Sequence, residues 1–303
     1  MPAHDATPGM VLSFEEDRER AVSLAQTCGM AHATVARHRF PDGEIKLTLP
    51  PSLPPCVVLW RGLEYPNERL TEILLLAGAA RDLGVRKLTL LAPYLAYMRQ
   101  DMAFSPGEAV SQRIVGRFLA GLFDAVVTVD PHLHRVATLQ EAVPVPVAAA
   151  LSGAPVLAAH VAQRRSDVVL IGPDEEAMQW VEQAAAGHGW AYGVCRKVRH
   201  GDRNVSIALP EDLDVDGRAV VLMDDVASSG HTLVKASHAL FQAGARSVDV
   251  AVTHALFAGD AVERIREAGV AEIWSTDCIP HATNAVSMVT TLARALQAHH
   301  LNA

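Results

Sequence analysis

Aromatic residues make up only 5% of this 303-residue chain, and cysteine occurs four times. With so few aromatics, the 50% apolar content rests on Ala, Val and Leu. That is the composition of buried parallel strands under helices and argues against an aromatic-rich β-sandwich. Cys28, Cys56, Cys195 and Cys278 lie far apart without a Cys-x-x-Cys spacing, so free thiols in a reducing cytoplasm are expected, not disulfides or a zinc site. No apolar run approaches the ~20 residues that span a bilayer. The opening MPAHDATPGM has no basic stretch followed by an apolar one, so no signal peptide is expected. Positive charge is in deficit as well: 26 Lys+Arg against 34 Asp+Glu leave a net charge of -8, a poor basis for generic nucleic-acid binding. The longest basic cluster, Arg196 to Arg203, is short and includes Asp202.

What is present is strand–helix alternation over a length that suggests about two domains. Short runs bounded by turn residues predict strands at Val57–Trp60, Lys87–Leu91, Ala125–Val129, Val168–Ile171, Ala219–Met223, Val248–Thr253 and Glu272–Ser275. Helices are expected at Asn67–Leu83 and at about 174–187, 230–243 and 259–268, with Gly84, Gly244 and Gly269 at C-terminal stops. The expected fold is α/β, with two halves that each carry a mostly parallel sheet with helices on both faces. The Pro- and Ala-rich segment Pro144–Pro155 marks the boundary, giving domains 1–148 and 149–303. Ligands of such sheets bind beyond the carboxyl ends of the strands. Pro93-Tyr94, Asp130-Pro131-His132, Gly172-Pro173-Asp174 and Asp224-Asp225 follow predicted strands there.

The sharpest chemical signal runs from Ala219 to Thr232: a hydrophobic strand, the pair Asp224-Asp225, then Ser228-Ser229-Gly230-His231-Thr232 opening a helix. Hydroxyls and N–H groups at a helix start can cradle a phosphate dianion. Two adjacent carboxylates can accept hydrogen bonds from vicinal sugar hydroxyls. A sugar phosphate satisfies both halves. The competing reading is an ordinary strand end with a capped helix.

This segment resembles the phosphoribosyl-diphosphate (PRPP) motif of type I phosphoribosyltransferases and of ribose-phosphate pyrophosphokinases. The resemblance to the pyrophosphokinases covers almost the whole chain. Phe40-Pro41-Asp42-Gly43-Glu44 is similar to their Phe-x-Asp-Gly-Glu, and Pro93–Asp101 to their Pro-Tyr-x-x-Tyr-x-Arg-Gln-Asp. Val129-Asp130-Pro131-His132, Pro173-Asp174, Lys197-Val198-Arg199 and Thr253–Phe257 match further motifs in the family's order.

The resemblance implies two phosphoribosyltransferase-like domains and transfer of the diphosphoryl group of ATP to the C1 hydroxyl of ribose 5-phosphate. It implies ATP contacts from Phe40, Asp42, Glu44, Arg99, Gln100 and Asp101, and a ribose 5-phosphate site at Asp224, Asp225, Ser228, Ser229, Gly230, His231 and Thr232. Mg²⁺ would be held by His132 and Asp174, with Asp130 a third candidate, and Lys197 and Arg199 would be the catalytic cations. A homo-oligomer, a dimer or a multiple of dimers, is implied as well. The bland readings are a turn at Asp42–Glu44, a surface ion pair of Arg99 with Asp101, a helix-start position for His134, and a solvated loop without periodicity at Arg196–Arg203.

Three departures stand out. Glu175-Glu176-Ala177 replaces a glycine pair, Met102-Ala103-Phe104 replaces basic residues, and His231 stands where a glycine is usual, narrowing the approach to the loop. The run Ser105–Ser111 resembles the archaeal-type branch. An active diphosphokinase, a non-catalytic relative and a phosphoribosyltransferase therefore remain open. Retention of Lys197 and Arg199 favours the first over the second, and the doubled domain with both ATP motifs disfavours the third.

Overall fold

Val and Leu dominate the strands that lie deepest, because branched side chains fit a pleated surface covered on both sides. The computed structural model describes residues 9–200, 204–210 and 213–301. Two compact units form: residues up to Leu151 together with those from Val289 onward, and Ser152–Met288. Compared with the halves 1–148 and 149–303 expected from sequence, the cut lies at the end of a strand. The last helix, Val289–Ala298, belongs to the first unit and packs on a helix at the other end of the chain.

In the first unit the strands are β1 (Met10–Ser13), β2 (Ala31–Thr34), β3 (Ala36–Arg39), β4 (Ile45–Thr48), β5 (Cys56–Trp60), β6 (Lys87–Ala92), β7 (Ala125–Val129) and β8 (Val147–Leu151). Its helices are α1 (Arg18–Cys28), α2 (Pro66–Asp82), α3 (Ser111–Ala120) and the short α4 (Leu139–Ala142). Six strands pair in parallel in the order β2-β1-β5-β6-β7-β8, while β3 and β4 form a separate antiparallel hairpin. Val57, Leu59, Leu88, Leu90 and Val126 pack with Ile73 and Leu76 of α2 and Leu119 of α3. The last helix lies along α1, β7 and β8, and its neighbourhood is tied by Cys56 Sγ donating to the Leu301 carbonyl at 3.4 Å.

The second unit repeats the plan. It contains β9 (Val168–Gly172), β10 (Ala191–Val194), β11 (Arg196–His200), β12 (Asn204–Ala208), β13 (Ala219–Ala227), β14 (Ser247–Ala255), β15 (Ile273–Thr276) and β16 (Asn284–Val286), with α5 (Ala154–Arg164), α6 (Met178–Ala186), α7 (His231–Gln242) and α8 (Ala261–Glu267). The parallel order is β10-β9-β13-β14-β15-β16, and β11-β12 is an antiparallel ribbon. Alternation along β9 and β13 sends Val169, Ile171, Val220 and Leu222 toward Leu233 and Leu240 of α7 and Ile265 of α8. Val168, Leu170 and Val221 turn to Leu157 of α5 and Trp180 of α6. Helices therefore cover both faces.

Adding eight to each strand number of the first unit gives the second, hairpin included. Both sheets reverse their winding between the first strand and the strand after the hairpin, at β1/β5 and at β9/β13. Such a switch point opens a crevice at the strand ends. In the first unit internal charges fill it. Arg61, which follows β5 and is 1% exposed, meets Asp17 Oδ2 at 2.8 Å and Glu16 Oε1 at 2.9 Å, and also pairs with Glu72. Its guanidinium stands 4.5 Å from the Phe14 ring centroid. The second unit's crevice holds the acidic residues singled out by the sequence.

Candidate active site

At β9/β13 three carboxylates gather. Asp174 follows β9, and its Oδ1 accepts the Glu176 N–H at 3.2 Å, capping the 3-10 turn Glu175–Ala177. Asp224 and Asp225 lie within β13, not beyond it as expected from a strand ending at Met223. Pairing with β14 continues through Val226↔His254 and Ala227↔Ala255, so the ladder carries the acidic pair to the crevice rim. Asp225 is buried, and Asp224 is half-buried. Burial raises the Asp224 carboxyl well above the ordinary aspartate range, and the charges of Asp225 and Asp174 add to the rise. A cluster of this kind is satisfied by a proton, by hydroxyl donors or by a hard cation.

The loop after β13 is braced from two sides. The N–H groups of Phe257 and Ala258, just past β14, donate to the carbonyls of Ala227 and Ser228 at 2.9 Å each. This is what the Thr253–Phe257 motif does in the fold, with Phe257 held at φ 30°. Gly230 sits at φ 73°, and a Cβ there would come within 3.0 Å of Ile265 Cδ1 on α8. A left-handed backbone on a packed floor therefore keeps a glycine at this position. His231 does not crowd the approach as its bulk suggests. Its Nε2 lies 3.0 Å from Arg264 Nη1 and its Nδ1 3.1 Å from Ser229 Oγ, so the ring is turned toward α8. Arg264 was not legible as part of this site.

Glu175, one of the departures, lies 3.7 Å from Arg196 in an exposed pair. Lys197 and Arg199 pair through their backbones with Ile207 and Val205 in the β11–β12 ribbon. Their side chains, and residues 201–203, lie outside the described residues. The expectation of a loop without regular structure fails at Arg196–His200. Alternating β-branched residues at Val198, Val205 and Ile207 suit a ribbon, and Ile207 packs against the core.

In the first unit, Phe40–Glu44 is the tip of the β3–β4 hairpin. Phe40 N–H donates to the Glu44 carbonyl at 2.8 Å and Gly43 N–H to the Phe40 carbonyl at 3.0 Å. The Asp42 carboxylate accepts the Glu44 N–H at 3.2 Å. Asp42 and Glu44 are exposed at the end of a defined turn, which leaves both carboxylates accessible to a ligand.

After β6, Asp101 is buried while Arg99 is exposed. Asp101 pairs with Arg135 at 2.6 Å, not with Arg99. Arg135 also stands 6.0 Å from the Phe104 ring centroid, so it returns a positive charge to the stretch where Met102-Ala103-Phe104 lacks one. Gln100 offers its carbonyl to the Gln112 N–H at 3.2 Å. Beyond β7, Asp130 is buried at φ 35°, a strained backbone whose N–H donates to the Leu151 carbonyl at 2.8 Å. His132 Nε2 lies 2.7 Å from His134 Nε2. His134 is thus a loop partner of His132 and not a helix-start residue, since α4 begins only at Leu139.

The four cysteines are free, three of them buried. Burial, with the charge of Asp174, pushes the Cys195 thiol up to about 12, which makes it unreactive. Among the described residues no helix is long and apolar enough to cross a membrane.

Comparison with known proteins gives a consistent result. Residues 9–122 match the N-terminal domain of ribose phosphate pyrophosphokinase, and residues 150–286 match the phosphoribosyl transferase domain. The chain is 37% identical to the ribose-phosphate pyrophosphokinase of Methanopyrus kandleri over 95% of its own length and 98% of the relative's. It is 35% identical to that of Halobacterium salinarum, covering 95% and 100%. The crystal structure of phosphoribosylpyrophosphate synthetase from Mycobacterium smegmatis superposes with a TM-score of 0.84 at 23% identity, over 97% of this chain and 100% of that one, and so shares the fold. Two repeated α/β units, an acidic switch-point crevice and these matches agree: the chain belongs to the ribose-phosphate pyrophosphokinase family.

Proposed function

We propose that this protein is an active ribose-phosphate diphosphokinase whose substrates are ATP and ribose 5-phosphate. The observation that carries the reading is the meeting of Asp174, Asp224 and Asp225 at the β9/β13 crevice, beside a braced hydroxyl loop at a helix start. The loop 228–232 would take the 5-phosphate, and Asp224 and Asp225 the ring hydroxyls. The C1 hydroxyl oxygen attacks the β-phosphorus of ATP, the bond from that phosphorus to the bridging oxygen breaks, AMP leaves with that oxygen, and the hydroxyl proton is released. Phe40, Asp42, Glu44, Arg99, Gln100 and Asp101 would hold the nucleotide, with Arg135 fixing Asp101. Lys197 and Arg199 would stabilise the charge that grows on the transferred group.

The residues present suit Mg²⁺. The carboxylate crowding that raises Asp224 is relieved by a hard cation, and oxygen donors are what that ion prefers. His132 and Asp174 would hold it, with Asp130 the third candidate, and when bound it supplies positive charge over the diphosphoryl oxygens. We also assign the protein to the cytoplasm, as a homo-oligomer built from dimers.

Purified protein with Mg²⁺, ATP and ribose 5-phosphate is expected to form AMP and PRPP in equal amounts. ADP in place of AMP would indicate ordinary phosphoryl transfer, and neither product would leave a binding protein.

Asp224→Ala is expected to raise the KM for ribose 5-phosphate ~5–15-fold by removing an acceptor worth ~1–1.5 kcal/mol. Asp224→Asn is expected to stabilise the ligand-free protein by ~1 kcal/mol near neutral pH, because the folded state holds this carboxylate at a cost. The sign follows from the raised carboxyl. The stability penalty is present above its folded pKa and fades as pH falls through it, so the advantage of Asn should fade there too. Melting curves of both proteins against pH measure this, and an Asn variant less stable than the parent at neutral pH would contradict it.

A further inference from the structure

The loop Ser228–Thr232 and α8 are linked by three side chains whose hydrogen-bonding roles can be deduced. Arginine has donors and no acceptor. Its Nη1 lies 3.0 Å from His231 Nε2, so in this contact that ring nitrogen is the acceptor and Nδ1 is the ring's donor. Nδ1 lies 3.1 Å from Ser229 Oγ, so the serine oxygen accepts there, and its own O–H must point elsewhere. Arg264 Nη2 also donates to the Ser229 carbonyl at 3.0 Å, and its Nε lies 3.1 Å from Asp260 Oδ1. The backbone and side chain of Ser229 are thus held from one arginine. Beneath them, Ile265 and Ala261 of the same helix pack under Gly230, so the relay stands on a fixed floor.

We infer that Arg264 and His231 are positioning residues that orient the Ser229 hydroxyl as a donor to the 5-phosphate of the sugar substrate. The inference rests on the reading of 228–232 as the phosphate loop. A rotating serine hydroxyl can face either way. With its acceptor lone pair engaged by Nδ1–H, it is presented as a donor before substrate arrives, which suits an anion that offers acceptors alone. His231, where the family commonly has glycine, thereby supplies through a side chain an order that a glycine leaves to the backbone. The pair acts on binding of the sugar phosphate and not on the transferring group.

Initial-rate kinetics with varied ribose 5-phosphate and varied ATP test this in His231→Ala, Arg264→Met, the double variant and Thr232→Ala. His231 is exposed and Arg264, on α8, is about a third exposed (32%), so neither change opens the core, and circular dichroism checks that the variants fold. His231→Ala and Arg264→Met should each raise the KM for ribose 5-phosphate ~5–10-fold, the loss of one oriented hydrogen bond. The KM for ATP and kcat should stay within ~2-fold. The double variant should be no worse than the poorer single variant, since both act through Ser229. Two results would overturn the relay: wild-type KM in His231→Ala, which would leave Arg264 acting by charge alone, or effects that multiply in the double variant. Thr232→Ala separates the two levels. If it raises the KM while His231→Ala does not, the relay fails and the phosphate loop stands; if it too leaves the KM unchanged, the loop assignment falls and the relay with it.

Discussion

Lys197→Ala is expected to lower kcat by ~10²-fold or more while the KM values for ATP and ribose 5-phosphate move by less than ~3-fold. Diphosphoryl transfer asks for little covalent work from a protein, and its barrier lies in the charge that builds on oxygens around the attacked phosphorus. An ammonium placed over those oxygens is most useful when they are most negative, so its removal shows in turnover before it shows in ground-state affinity. Lys197 stands in the β11–β12 ribbon, the counterpart in the second unit of the hairpin that carries Phe40–Glu44 in the first. Arg199 is two residues along the same strand. Arg199→Ala should therefore behave alike, and the double variant should lose less than the product of the single losses if the two cations act as one unit. An active parent whose Lys197→Ala variant keeps full turnover would remove the residue from this role.

Arg61→Met should destabilise the first unit by about 3–5 kcal/mol, read as a fall in melting temperature of ~10 °C. Asp17 and Glu72 are each 2% exposed and share this buried guanidinium. Burial alone would lower the arginine's pKa, but Glu72 and Asp17 outweigh it and hold it up. Burial raises Asp17 above its ordinary value even with Arg61 and Arg20 beside it, so the pair does not fully offset the cost of leaving water. Deleting the cation leaves two buried carboxylates with less compensation, which is worse than deleting the whole network. Burial already raises the Asp17 carboxyl and the variant removes the cation that opposes the rise, so stability is lost as pH rises and the deficit of Arg61→Met should shrink on going from pH ~8 to pH ~5. Thermal melts at the two pH values measure it. An unchanged melting temperature would show that the network contributes no net stability, and a deficit that grows toward acid would show that stranded carboxylates are not its cause.

Elements with their own local signal were legible in the sequence. The strands at Val57–Trp60, Lys87–Leu91 and Ala125–Val129 lie within one residue of β5, β6 and β7, because a fully buried parallel strand is a continuous apolar run bounded by turn residues. Gly84, Gly244 and Gly269 have φ of 90°, 89° and 93°, the left-handed stops expected of them. The acidic pair and the hydroxyl loop were legible for a similar reason: they are contiguous in the chain. Strands β3 and β4 were not, since β3 is exposed at all four positions and shows no apolar alternation. The units divide inside the segment 144–155, at Leu151/Ser152, but that segment also holds β8, whose Val147–Leu151 gains its strand character from pairing with β7. Tertiary structure alone decided which charges meet. Asp101 takes Arg135 from 34 residues away and Ser229 takes Arg264 from 35, and no periodicity announces a partner on another loop. It also decided that the switch point of the first unit is filled by Arg61 and its carboxylates while that of the second gathers Asp174, Asp224 and Asp225. Identical strand orders impose the same crevice twice, and only the side chains that the winding brings to its rim determine whether it is filled from within or left open to a substrate.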